Sequence, residues 1–169
     1  RINIGLSGLG IAERAYQQAV TYARERTQGH DCDGKPMAII HYPDVRRMLL
    51  TMKSQIDAMR ALVYDTVTSL DKSRRAKDAT ARKEAQARVD LLTPIVKAWC
   101  TDLGVEITSM AIQVHGGIGY MEETGVVQHL RDARIAPIYE GTNGIQAQDL
   151  VARKVLRDSG AAARTYIEE

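Results

Sequence analysis

The sequence predicts an all-α protein built as an antiparallel four-helix bundle. Apolar residues recur at intervals of three and four along several long stretches, a spacing that places them on one face of a helix. The composition agrees, because the 169 residues include four prolines and no phenylalanine and are rich in Ala, Arg, Gln and Met. No stretch carries a strand signal. We therefore expect residues 1–169 to form one helical domain with one core.

The first predicted helix covers residues 2–27. Its apolar stripe consists of Ile2, Leu6, Leu9, Tyr16 and Val20. Gly5, Gly8 and Gly10 lower the helix propensity, and small residues this close together let a second backbone or a ligand approach. The turn residues GHDCDG at 29–34 end the helix.

The second helix is expected to begin at Pro43, since proline is well tolerated at a first helical position. Its stripe runs to Leu70, and we predict a linker from Asp71 to Thr80 in which KSRRAK (72–77) is a solvated loop. The third stripe extends from Ala85 to Val114. Pro94 either kinks this helix or opens a new one capped by Thr93.

The C-terminal third alternates loops and shorter helices. The glycine-rich HGGIGY (115–120) stops the third helix, a short helix follows at about 125–133, and the last helix covers about 143–157. Two loops remain that bundle packing does not explain. HGGIGY is either a helix C-cap or a surface where a cofactor lies against the main chain. In PIYEGTNGIQ (137–146), Glu140 either complements a helix dipole or acts as a general base.

Composition and charge exclude several classes of function. The net charge of +2 does not favour a nucleic-acid partner, and no apolar run approaches the ~20 residues that a membrane span requires. Cys32 and Cys100 are isolated, which favours a reducing compartment. The spacing of His30, Cys32 and His41 fits no common zinc site, so we predict no metal.

Motifs at both ends of the chain resemble a known family. Gln113 begins a Q-x-x-G-G-x-G-Y pattern, Arg-Asp-Ala follows at 131–133, and I-Y-E-G-T occupies 138–142. Y-A-x-E-R-x-Q-G closes the first helix at 22–29. In this order the motifs resemble the C-terminal helical domain of the acyl-CoA dehydrogenases over nearly the whole chain. The long stretch 71–93 resembles the large bacterial subclass that includes methylthiopropanoyl-CoA dehydrogenases.

The resemblance implies α,β-dehydrogenation of an acyl-CoA thioester with FAD as the cofactor. Glu140 matches the family's catalytic base, which removes the proton alpha to the thioester carbonyl. Tyr139 and Gly141 beside it match substrate-binding positions. Arg1 matches an arginine at the start of the helix that lines the CoA site, although a frayed terminus is the alternative for Arg1.

The resemblance also implies a set of FAD contacts. Arg26 matches an arginine that reaches the FAD pyrophosphate across a subunit interface. Thr142 matches a residue that contacts the flavin of its own subunit. The remaining matches to the neighbouring subunit's FAD are Gln28, Gln113, Gly116 and Gly117. Two positions depart from the family pattern: RTQG (26–29) is one residue short and lacks an aromatic, and Gly144 stands where some relatives have a glutamine.

Beyond the site, the resemblance implies an N-terminal helical domain and a middle β-domain, so the chain is expected to be an inactive piece of a longer protein. The implied partners are an electron-transfer flavoprotein and further subunits of a homodimer or homotetramer, in the bacterial cytoplasm. We expect Arg131 and Asp132 to form a structural pair and His115 to be a packing residue. A nucleic-acid-binding relative and a flavin oxidase on the same fold are the alternative functions.

Overall fold

The computed structural model describes residues 1–169 and confirms the all-α class. Six α-helices and one short hairpin follow one another in the order α1 (Ile2–Glu25), β1 (Thr27–His30), β2 (Pro36–Ala38), α2 (Pro43–Arg75), α3 (Ala79–His115), α4 (Val126–Arg134), α5 (Asn143–Asp149) and α6 (Ala161–Glu168). A π-helical turn, Leu150–Val155, and a 3₁₀ turn, Leu156–Asp158, extend α5. No helix combines the length and the apolar character needed to cross a membrane.

The long helices alternate in direction as a four-helix bundle requires. α1 and α3 run parallel, because Gly8 lies against the carbonyl of Cys100 while Tyr22 stacks on His115 one helix length further on. α2 runs opposite to both, as the ion pairs Arg60–Glu13 and Arg88–Asp65 indicate. The segment that starts with α5 descends along α3 and occupies the fourth position.

The core lies where α1, α2 and α3 meet. α2 and α3 contribute large apolar side chains such as Met52, Ile56, Val96 and Ile107, all fully buried. α1 buries Leu9 and otherwise only small residues, namely Gly5, Gly8, Ala12, Ala15, Ala19 and Ala23. The predicted stripe of α1 was wrong at Leu6, which is 45% exposed, and the third predicted stripe, which included Trp99, was wrong there because Trp99 is 39% exposed. The backbone of α1 packs too closely on α3 for a stripe of large residues there.

A linker does separate the second and third helices, but the predicted bounds Asp71 to Thr80 were too wide, because only residues 76–78 form it. α2 continues to Arg75 and α3 begins at Ala79, where the Asp78 carboxylate caps the helix by accepting from the Ala81 N–H at 2.9 Å. Most of KSRRAK is therefore helix and not a loop, and its cations complement the negative end of the α2 dipole. α3 runs unbroken through Pro94, so no new helix starts at Thr93.

The absence of strands was also predicted wrongly. β1 and β2 pair in antiparallel register, with Thr27 opposite Ala38 and His30 opposite Pro36. The Tyr42 hydroxyl donates to the Gln28 carbonyl at 2.7 Å and holds the hairpin against the start of α2. All four β1 residues are exposed, so no alternation of apolar residues marks the strand.

The predicted structural pair of Arg131 and Asp132 does not form. Arg131 pairs with Glu122 at 2.7 Å, whereas Asp132 accepts a hydrogen bond from Gln128 at 2.7 Å. Adjacent residues of a helix point about 100° apart, which directs these two side chains to different partners.

Candidate active site

The loop between α4 and α5 holds Glu140 in an unusual backbone conformation. Glu140 has φ 57° and Gly141 has φ 87°, so two consecutive residues are left-handed. This region is costly for a residue with a side chain. The Asn143 N–H donates to the Pro137 carbonyl at 3.0 Å and closes the loop around Glu140. The Glu140 side chain is exposed and forms no ion pair.

Gln146 supports the loop from beneath. Its side chain is fully buried, and its amide nitrogen donates to the Gly141 carbonyl at 3.1 Å. The Gln146 amide oxygen has no partner. A Cβ at Gly141 would lie 2.8 Å from the Gln146 nitrogen, so a side chain there would displace the amide that supports the loop, and the positive φ itself favours glycine. Thr142 caps α5 by accepting from the Ile145 N–H at 3.3 Å.

Asn143 anchors the same loop to the middle of α3. Its Oδ1 accepts from the Lys97 ammonium at 2.7 Å, and its Nδ2 donates to the carboxylate of Asp102 at 2.7 Å. Nδ2 also lies 2.9 Å from the Thr101 hydroxyl and 3.1 Å from the Ala98 carbonyl. Burial lowers the pKa of Lys97, with Asp102 opposing that shift and Arg1 adding to it. A lysine and a threonine one turn apart on α3 therefore determine where α5 begins.

An open groove runs beside the loop. Asp102 and Glu106 of α3 form one wall, and residues of the loop, including Pro137, Ile138 and Thr142, form another. Tyr139, the next residue in the chain after Ile138, is 39% exposed. The groove combines the carboxylates of Asp102 and Glu106 with the aliphatic side chain of Ile138, and Glu140 follows Ile138 by two residues outside its lining.

Arg1 is tied to the opposite end of α5. Its guanidinium pairs with Asp149 at 2.7 Å, and Asp149 is only 7% exposed. The Arg1 carbonyl accepts from the backbone N–H groups of Ile4 and Gly5, so Arg1 is part of the α1 N-terminus and is not frayed. The Arg1 side chain is 40% exposed, which leaves part of the guanidinium accessible.

The other predicted cofactor residues lie together at the far end of the bundle. Arg26 follows α1 directly, is exposed and forms no ion pair. Gln113 is exposed near the end of α3, and its carbonyl accepts from the Gly116 N–H. A Cβ at Gly116 or Gly117 would meet nothing within 4 Å. Gln28 lies on β1, beside Arg26.

His115, the last residue of α3, packs against α1. Its ring stacks on Tyr22 at 4.3 Å, and its Nδ1 lies 2.7 Å from the Ala111 carbonyl. Burial lowers the pKa of His115, and the hydrogen bond to Ala111 opposes that shift. A neutral, stacked imidazole with one nitrogen committed to the backbone serves packing, as the sequence indicated.

Lys97, Asn143 and Gln146 were not predicted as site residues. The one available signal was that Lys97 stands between Val96 and Ala98 in the most regular apolar stripe of the chain. A charge so close to a buried face suggests a specific partner, but the sequence does not identify Asn143 as that partner.

The chain is thus an all-α bundle that carries Glu140 on the exposed loop between α4 and α5. Residues 1–156 match the family model of the acyl-CoA dehydrogenase, C-terminal domain. A 3-methylmercaptopropionyl-CoA dehydrogenase from Ruegeria pomeroyi is 50% identical over 171 residues, covering 99% of this chain and 29% of that protein. The chain therefore belongs to the acyl-CoA dehydrogenase family, and it spans less than a third of this relative's length.

Solved structures agree with that assignment. The butyryl-CoA dehydrogenase of Megasphaera elsdenii superposes with a TM-score of 0.71 at 34% identity, covering 89% of this chain and 34% of that one. Caenorhabditis elegans ACDH-11, solved in complex with C11-CoA, gives a TM-score of 0.85 at 26% identity. The second match covers 99% of this chain and 27% of that one.

Proposed function

We propose that this chain is the C-terminal helical domain of an FAD-dependent acyl-CoA dehydrogenase in which Glu140 removes the α-proton of the thioester. The observation that carries the proposal is the state of Glu140. Its backbone is held left-handed between two hydrogen-bonded anchors while its carboxylate is exposed and forms no ion pair. A carboxylate that serves only to cap a helix has no need of such a conformation.

The chemistry assigned to the chain's own residues is proton abstraction. A Glu140 oxygen accepts the proton from the α-carbon, which becomes acidic when hydrogen bonds stabilise the enolate-like charge on the thioester oxygen. Tyr139 lines the acyl pocket beside the base. Gly141 lets the chain turn into α5 and leaves room for substrate. Arg1, with a partly exposed guanidinium, is placed to attract the phosphate-rich end of CoA.

The residues matched to FAD have properties that suit it. Arg26 offers a guanidinium with no competing carboxylate, which suits a pyrophosphate. Gly116 and Gly117 present backbone with open space around it, and Gln28 and Gln113 add polar side chains to that surface. Thr142, two residues after Glu140, is the N-cap of α5. When bound, FAD accepts the hydride lost from the β-carbon.

The names of relatives guide the choice of substrate and partner. The 50% identical protein is a 3-methylmercaptopropionyl-CoA dehydrogenase, so 3-methylmercaptopropionyl-CoA is the first thioester to assay. A protein from Acetobacterium woodii, 31% identical over 146 residues, is subunit CarC of a caffeyl-CoA reductase–Etf complex. We therefore propose an electron-transfer flavoprotein as the electron acceptor, and a homodimer or homotetramer as the assembly.

Replacement of the proposed base tests the function. In the full-length protein, Glu140→Gln keeps the size of the side chain but removes its basicity. We expect acyl-CoA to bleach bound FAD at least about a hundredfold more slowly, with FAD still bound, because general-base catalysis contributes 10²–10⁴-fold. Stopped-flow absorbance of the flavin measures this rate.

Glu123→Gln is the matched control, since Glu123 is an exposed glutamate in the short 3₁₀ turn before α4. We expect the control to bleach FAD at the wild-type rate. Bleaching by Glu140→Gln at the wild-type rate would show that Glu140 is not the base.

A further inference from the structure

The side chain of Lys97 is buried without a carboxylate in contact. Lys97 is 0% exposed, and its ammonium makes a hydrogen bond to Asn143 Oδ1 at 2.7 Å and no ion pair. Burying an ammonium with one neutral acceptor is unfavourable. A methionine or leucine at this position would fill the same space at lower cost, so stability does not explain the lysine.

The acceptor of that hydrogen bond is the residue that closes the Glu140 loop. The Asn143 N–H donates to the Pro137 carbonyl at 3.0 Å, so Asn143 and Pro137 fix the two ends of the turn that contains Glu140. The Asn143 amide nitrogen donates to Asp102 and lies within hydrogen-bond distance of Thr101. Every side-chain contact of Asn143 is therefore made to α3, the longest helix of the bundle.

The loop needs such an anchor because of its backbone. A left-handed glutamate is unfavourable and persists only where the surrounding contacts hold it in place. Gln146 supplies one contact, to the carbonyl of Gly141. The Lys97–Asn143 hydrogen bond supplies the other, at the start of α5.

We propose that Lys97 is a positioning residue, which by donating to Asn143 holds the Glu140 loop in the geometry that aims the carboxylate at the substrate. This inference rests on the proposed role of Glu140 as the base. The buried ammonium of Lys97 reaches the loop only through Asn143. The Asn143 amide oxygen accepts from Lys97 at 2.7 Å and from the Thr101 hydroxyl at 3.3 Å, so loss of the ammonium removes the shorter of the two hydrogen bonds that hold this oxygen.

Three variants of the full-length protein test the proposal: Lys97→Met, Asn143→Ala and the double variant. We expect each single variant to lower the rate of FAD bleaching at saturating acyl-CoA by about tenfold to a hundredfold, the cost of a small misplacement of a reacting group. The double variant should lose no more than Asn143→Ala alone, because Lys97 acts through Asn143 and Asn143→Ala already removes their hydrogen bond. In Lys97→Met, the KM and the amount of bound FAD should equal those of the wild type. The melting temperature should be no lower than that of the wild type.

Lys83→Met is the matched control, since Lys83 is an exposed lysine on the same helix. It should bleach FAD at the wild-type rate. A wild-type rate in Lys97→Met or in Asn143→Ala overturns the proposal, as does a rate loss that follows a fall in melting temperature or FAD content. Multiplicative losses in the double variant also overturn it. If Lys97→Met does not fold, Asn143→Ala alone decides by the same criteria.

Glu140→Gln, measured beside these variants, separates the two proposals. If Glu140→Gln abolishes bleaching while Lys97→Met is unaffected, only the positioning role fails. If Glu140→Gln bleaches normally, the base assignment fails and the positioning role fails with it.

Discussion

Backbone strain in this protein is concentrated beside the candidate base. Among residues other than glycine, only Glu140 and Ser159 have positive φ, and Ser159 lies in a surface turn before α6. The Glu140 loop is held from two sides, by Gln146 and by Asn143. Backbone strain of this kind clusters at functional sites, and here it is held by the buried Gln146 and the half-buried Asn143.

Gly141 and Gly144 should respond in opposite ways to alanine. Gly141→Ala places a Cβ at φ 87° and 2.8 Å from the Gln146 amide nitrogen, and we expect it to lower the free energy of unfolding by about 1–2 kcal/mol or more. Gly144 lies in the first turn of α5, and a Cβ built there has no atom nearer than 3.8 Å. Gly144→Ala should therefore raise the free energy of unfolding by about 0.4–1 kcal/mol.

Urea unfolding followed by circular dichroism measures both glycine variants. Equal effects at the two positions would show that neither the left-handed conformation nor the contact with Gln146 limits Gly141.

At the scale of whole elements, the contact between α1 and α3 depends on glycines that face each other. A Cβ at Gly8 would lie 2.7 Å from the Cys100 carbonyl oxygen, and one at Gly5 would lie 2.6 Å from that of Val96. Gly104 faces Gly8 from the other helix, with 3.2 Å between its built Cβ and the Gly8 carbonyl oxygen. These atoms belong to backbone, so they cannot turn aside as the end of a side chain would.

Gly8→Ala should therefore destabilise the bundle, whereas Gly10→Ala should stabilise it. We expect Gly8→Ala to lower the free energy of unfolding by about 1–3 kcal/mol, because it forces α1 away from α3. Gly10 lies in the same helix with nothing within 4 Å of a built Cβ, and alanine there should add about 1 kcal/mol through helix propensity. Thermal unfolding compares the two, and a stabilised Gly8→Ala would contradict the close packing.

Helix periodicity predicted which stretches are helical better than where they end. The stripes of α2 and α3 were evident because large apolar residues recur on one face for many turns. The junction near Asp78 was missed because the charged residues of KSRRAK read as a loop, although they suit the C-terminal end of a helix. The hairpin after α1 was missed because a pair of short exposed strands leaves no periodic signal.

The candidate site was predicted from motifs, and its supporting contacts were not. Glu140, Thr142 and the glycines stand in a recognisable order along the chain. Lys97 and Asn143 are far apart in sequence and meet only because α5 runs back along α3. Their contact depends on tertiary packing, which one sequence without relatives does not disclose.

At the scale of the whole molecule, the bundle separates the two groups of candidate residues. Asn143, which follows Thr142 directly, contacts Thr101 of α3, and Gly8 of α1 packs against Thr101 as well. The Glu140 loop therefore lies at the same height along the bundle as Gly8. Arg26 lies at the other end of α1, roughly 27 Å away along the helix axis at about 1.5 Å per residue. The proposal that Arg26 serves the FAD of a neighbouring subunit, while Glu140 serves its own subunit, is consistent with this separation.

Hybrid oligomers test whether Arg26 acts across a subunit interface. Arg26→Ala should weaken FAD binding in a pure oligomer, because the guanidinium that neutralises the pyrophosphate is lost. When Arg26→Ala and Glu140→Gln subunits are co-expressed with different tags and the hybrid is purified, the Arg26→Ala subunit keeps its own Glu140 and receives Arg26 from its partner. One intact site then forms in each mixed pair, so the hybrid should recover a substantial part of wild-type activity although both parents are impaired. If Arg26 instead served its own subunit, neither subunit of the hybrid would hold a complete site, and the hybrid would be no more active than its parents.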